Sequence, residues 1–83
     1  MYKVFLVEDE YLVRESLRMQ VAGLAEFQVC GEAEDGEQAL QQIRRCQPDI
    51  VMTDIKMQFM SGLELARTVR KSQPEIHFLI ISG

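Results

Sequence analysis

The sequence predicts an α/β fold built on a mostly parallel sheet, and three observations carry that expectation. Short apolar runs, Val4–Val7, Ile50–Thr53 and Phe78–Ile81, read as strands covered on both faces. Segments with apolar residues at three- and four-residue spacing alternate with those runs. The resulting order β-α-β-α-β-α-β requires crossover connections, which are right-handed and place the strands in parallel.

Each element has its own justification. Val4-Phe5-Leu6-Val7 is the first strand, and it runs into three carboxylates, Glu8-Asp9-Glu10. Acids at that point suit a helix N-terminus, because they complement the macrodipole. The helix is expected from Glu10 to about Met19 or Gln20, with Leu12, Val13, Leu17, Val21 and Leu24 as one apolar stripe. Arg14, Glu15 and Arg18 lie off that stripe, and Gly23 is a suitable stop. Phe27–Ala33 alternates apolar and polar, as a half-exposed edge strand does. Glu34-Asp35-Gly36 is a turn, and a second helix runs from about Glu37 to Arg45 over Ala39, Leu40, Ile43 and Cys46. Pro48 closes it and biases Gln47 towards an extended conformation.

Ile50-Val51-Met52-Thr53-Asp54 is the central strand. A carboxylate is costly inside such a strand, so Asp54 marks its carboxyl end, facing a polar pocket. Ser61-Gly62-Leu63-Glu64 fits a capping box. The third helix then spans about Gly62 to Lys71, buried through Leu63, Leu65, Ala66 and Val69 and closed by Pro74. His77–Ser82 is the fourth strand.

Composition excludes several classes. Eighty-three residues hold a single domain with a small core. A net charge of -4 argues against bulk affinity for nucleic acid or an anionic membrane surface. No apolar run approaches the length of a membrane span. Cys30 and Cys46 form no CxxC pair and no metal spacing with His77, the single histidine, and read as reduced small hydrophobes of a cytoplasmic protein.

Chemistry centres on the acids. The first and central strands end in Glu8-Asp9 and in Asp54. If those strands are neighbours, three carboxylates meet at the carboxyl edge of the sheet, where open α/β folds place their ligands. Their repulsion calls for a bridging cation, and hard oxygen ligands in a small pocket favour Mg²⁺. A carboxylate beside a divalent ion is prepared to accept a phosphoryl group. Ser82, ending the fourth strand, would place a hydroxyl near that group.

Val7-Glu8-Asp9-Glu10, Glu34-Asp35-Gly36, Pro48–Asp54, Met57, Gly62-Leu63-Glu64-Leu65 and Ile81-Ser82-Gly83 resemble the receiver domain of two-component response regulators. The likeness covers essentially the whole chain, residues 1–83. It implies a flavodoxin-like, doubly wound parallel sheet with strand order 2-1-3-4, part of the family's 2-1-3-4-5. It implies Asp54 as phosphoacceptor, Glu8 and Asp9 as the acid pair around Mg²⁺ with Asp9 a direct ligand, and the Lys56 backbone carbonyl as a further ligand. Asp54 itself would belong to the ligand set, and Ser82 would be the switch hydroxyl. The donor would be the phosphohistidine of a sensor histidine kinase. The Asp-Ile-Lys-Met stretch is similar to that of regulators with an AraC-type DNA-binding output domain. No nucleic-acid contact is expected of this segment itself.

Two departures from the family bear on function. Gln58 stands where the family has proline, which frees the loop after Lys56. The family's fourth helix, fifth strand and fifth helix have no counterpart, so the domain is expected to be incomplete. The fifth-strand lysine that meets the phosphoryl group and the aromatic switch residue are missing with them. The fourth strand would then be an exposed apolar edge, and one sheet face would lack half its helix cover. Self-association through that strand or that face follows as an expectation. So does an alternative function, an interaction module that keeps the architecture and cannot be phosphorylated.

Overall fold

The computed structural model describes residues 1–57 and 60–81. Four strands, β1 (Tyr2–Val7), β2 (Phe27–Ala33), β3 (Ile50–Asp54) and β4 (His77–Ile81), form one parallel sheet in the order β2-β1-β3-β4. Three helices connect them: α1 (Tyr11–Ala22), α2 (Gly36–Cys46) and α3 (Gly62–Ser72). The expected fold class and strand order are the observed ones. The expected strand end at Ser82 and the departure at Gln58 lie outside the described residues.

The two apolar inner strands sit side by side because both of their faces need cover. Phe5, Val7 and Val51 turn to one side and pack with Ala39 and Ile43 of α2 and Leu65 and Val69 of α3. Val4 and Leu6 turn to the other side and pack with Val21 of α1. This alternation is the period-two consequence of strand geometry. Ile76, between α3 and β4, is also buried in the larger cluster, which the sequence pattern did not single out.

α1 departs from its expected stripe. Leu17 and Val21 pack on the sheet, but Leu12 is 79% exposed, Val13 42% and Leu24 54%. Among the described residues α1 is the only helix on its face, so its flank has no neighbour against which those side chains can be buried. The same shortage leaves Leu79 of β4 half-exposed beside an apolar groove of about 300 Å³ lined by Val4, Leu17, Val21, Ile50 and Met52.

The helix ends follow local chemistry. Asp35 caps α2, accepting from the Gln38 amide at 2.9 Å. Ser61 and Glu64 make both bonds of the predicted capping box, at 3.1 and 3.4 Å. Gln47 is not extended: it adopts φ 48°, ψ 61°, and its N–H reaches the Ile43 carbonyl at 2.9 Å. Closing the α2 carboxyl end in the left-handed conformation outweighs the bias from Pro48. On α3, Leu63 is 55% exposed and only Leu65 and Val69 of the expected apolar set are fully buried.

Candidate functional site

Register explains why the acids meet. Leu6 pairs with Met52 and Val7 with Thr53, so the next residues along β1 and β3 are Glu8 and Asp54. The chain reverses its winding between β1 and β3, at the point where sheets of this order form a crevice. Glu8, Asp9 and Asp54 each place a carboxylate oxygen within 4.8 Å of the other two. Glu8 is buried, Asp54 is half-buried and Asp9 is exposed. A cavity of about 230 Å³ beside them is lined by Glu8, Glu10, Val13, Asp54 and Ile81.

Glu8 and Asp54 are each held by backbone. The Glu8 amide donates to the Ala33 carbonyl of β2 at 3.1 Å, and its carboxylate accepts from the Glu10 amide at 2.9 Å. Glu10 is the N-cap of α1, and its side chain makes no capping bond. Asp54 accepts from the Lys56 amide at 3.5 Å. The Ile55 amide donates to the Ile81 carbonyl at 3.2 Å, and the Ile55 carbonyl accepts from the Gly62 amide at 3.1 Å. Gly62 packs so closely on Asp54 that a Cβ there would collide with the Asp54 carbonyl oxygen. Buried Thr53 donates its hydroxyl to the same carbonyl at 3.0 Å.

Burial is the largest influence on Glu8, and it raises the carboxyl pKa above the ordinary carboxylate value. Asp9 raises it further as a side-chain neighbour, as do the charges of Asp54 and Asp9, while the Glu10 amide works the other way. A group of three acid oxygens this close, one of them out of water, is a donor set for a hard cation. The residues present therefore fit Mg²⁺.

Arg14 belongs to this site, although it lies off the apolar stripe of α1. Its Nη1 donates to the Glu8 carbonyl at 2.6 Å, and its Nε lies 3.3 Å from the Glu32 carboxylate on β2. A usable signal was present. A cation in the first turns of a helix is disfavoured by the macrodipole, so it needs a partner. Of the predicted site residues, Glu8, Asp9 and Asp54 come together, Lys56 adjoins them through its amide, and Ser82 lies outside the described residues.

A doubly wound parallel sheet with acids from both inner strands at its switch point defines a flavodoxin-like α/β module with a carboxylate pocket. Residues 4–83 match the response regulator receiver domain, and the chain belongs to that family. Its architecture and its kinship make it a receiver module of two-component signalling.

The chain is 38% identical over 82 residues to the response regulator GacA of Pseudomonas aeruginosa, a match covering 99% of this chain and 38% of that protein. It is 36% identical over 88 residues to the transcriptional regulatory protein YesN of Bacillus subtilis, covering 23% of that protein. The chain thus spans well under half the length of these relatives. Among solved structures, the signal receiver domain of NarL from Mycobacterium tuberculosis superposes with a TM-score of 0.92 at 32% identity, covering 98% of this chain and 65% of the other. The receiver domain of AraT from Geobacillus stearothermophilus gives 0.85 at 33%, covering 99% and 64%. Among the described residues no helix is long and apolar enough to cross a membrane.

Proposed function

We propose that Asp54 accepts a phosphoryl group from the phosphohistidine of a sensor histidine kinase, in the cytoplasm, and that the modified module passes the signal to a transcriptional output domain. The observation that carries this reading is the convergence of Glu8, Asp9 and Asp54 within 4.8 Å. An Asp54 oxygen attacks phosphorus in line, the P–O bond forms as the P–N bond to imidazole breaks, and the imidazole leaves. Asp9 and Asp54 side chains, with the Lys56 carbonyl, would hold Mg²⁺, and Glu8 would support them. The ion supplies neutralisation of the phosphoryl oxygens. The Lys56 amide orients the Asp54 carboxylate, and Gly62 and Thr53 fix the backbone behind it. Ser82 directly follows Ile81, the register partner of Asp54, and supplies the switch hydroxyl.

The test is adduct formation with Mg²⁺ and beryllofluoride, or acetyl phosphate, followed by intact-mass measurement. The wild type gains one adduct and Asp54→Asn gains none. Equal labelling of the two proteins overturns the assignment.

A second reading rests on a different observation. β4 has a free edge among the described residues, and Leu79 is 52% exposed beside the apolar groove on the α1 face. We infer that the 83-residue chain self-associates through β4 or that face, as an assembly module. Size-exclusion chromatography that returns a monomer at every concentration overturns it.

A further inference from the structure

Far from the acid pocket, the β1–β2 register skips a residue. Val4 pairs with Val29 and Phe5 with Gly31, which leaves Cys30 unpaired in a bulge of the edge strand. Bulges re-aim side chains, and here Cys30 packs against the core cluster of Phe5, Ala39 and Ile43. Cys46, the last residue of α2, packs against the same cluster. Its thiol donates to the Cys30 carbonyl at 3.6 Å and lies 3.5 Å from where a Cβ on Gly31 would stand. That Cβ would strike the Phe5 ring at 2.7 Å, so glycine keeps this corner open. The backbone around Cys46 is fixed as well. Its carbonyl accepts from the Lys3 ammonium at 2.6 Å, and the next amide bonds back to Ile43.

We propose that Cys30 and Cys46 form a thiol–disulfide exchange site, which closes into an intramolecular bridge between β2 and the end of α2 on reaction with a low-molecular-weight disulfide. The two residues are sixteen positions apart, and both are half-buried free thiols. Nothing in the acid pocket takes part.

The order of steps follows from environment. Burial, and after it the neighbouring Cys46, push the Cys30 thiol up to about 11. At neutral pH Cys30 is therefore a poor first nucleophile. The Cys46 thiolate attacks one sulfur of the disulfide RSSR, the S–S bond breaks, and RS⁻ leaves with a mixed disulfide remaining on Cys46. The Cys30 thiolate then attacks the Cys46 sulfur and expels the second RS⁻. The two thiol protons of the protein end on the two released thiolates. The protein loses two electrons and the small disulfide gains them.

Oxidised glutathione is the probe, with intact-mass spectrometry after alkylation as the readout. The folded wild-type chain loses both alkylatable thiols, retains no glutathione and stays intramolecular. Cys30→Ser stops with one glutathione on Cys46, and Cys46→Ser keeps a free Cys30. Oxidation raises the thermal midpoint of the wild type by roughly 10 °C, because the bridge shortens the unfolded chain's freedom. If a serine variant does not fold, Cys30→Ala and Cys46→Ala replace it. Two free thiols after exposure, glutathione held on both cysteines, bridges only between molecules, or a lowered midpoint each overturn the proposal.

Discussion

The guanidinium of Arg14 holds the backbone carbonyl of Glu8 at 2.6 Å and reaches the Glu32 carboxylate at 3.3 Å. One side chain thus ties the loop that carries the acid pair to the neighbouring edge strand. Its exposure is only 11%, so these bonds are made largely out of water. Arg14→Ala is expected to cost about 1–3 kcal/mol of stability, as for other lost charge-assisted bonds, and to weaken Mg²⁺ binding. Arg14→Lys retains charge, loses the forked geometry and falls between. Denaturant unfolding and calorimetric Mg²⁺ titration of the three proteins check this. An unchanged Mg²⁺ affinity in Arg14→Ala confines the residue to a stabilising role.

Gly62 begins α3 directly against the Asp54 carbonyl. A methyl group at that position forces the strand end and the helix apart. Gly62→Ala should destabilise the fold by about 1–3 kcal/mol, despite alanine's better helix propensity. Urea unfolding reads the loss, and adduct yield at Asp54 reads the displaced pocket. A more stable Gly62→Ala protein contradicts the packing described here.

Glu8 gives the protein a pH signature. Its folded-state pKa is raised, so the folded protein holds this proton to higher pH than the unfolded chain does. Stability from this group therefore falls as pH rises from the ordinary carboxylate value through the raised one, and remains lost above it. In chelator at neutral pH, Glu8→Gln should melt a few degrees higher than the wild type, with the Glu10 amide still bonded to the side-chain oxygen. The difference should vanish in acid, where the wild-type carboxyl is protonated. Mg²⁺ should raise the wild-type midpoint more than that of the variant. Thermal melts across pH with and without Mg²⁺ test all three statements.

The capping box of α3 offers a local test. Ser61→Ala removes the bond to the Glu64 amide and should cost about 1 kcal/mol. Ser61→Asp should restore most of it, because aspartate caps the same donor. Chemical denaturation that ranks the aspartate variant level with the alanine variant contradicts the capping role.

Strand order and the meeting of Glu8, Asp9 and Asp54 were legible because they depend on period and position. Two apolar runs that each end in acid become neighbours in a parallel sheet, and register does the rest. The stripe on α1 was misread at Leu12, Val13 and Leu24 because periodicity reports which residues share a side, not whether a partner waits there. Gln47 was misread because the bias from the following proline is local, while closure of the preceding helix is worth more. Arg14 escaped because its partners, the Glu8 carbonyl and the Glu32 carboxylate, lie on other elements, and the helix's own periodicity does not name them. The bulge at Cys30 is invisible for a related reason: a skipped register has no residue signature of its own.

Ile55 is bonded on both sides, its amide to the last carbonyl of β4 and its carbonyl to the first amide of α3. The residue behaves as a linchpin. Rotation of its peptide planes tugs the outermost strand and the opening turn of a helix at once. Were Asp54 modified as proposed, displacement of that peptide would be felt at the rim of the sheet as well as along the helix.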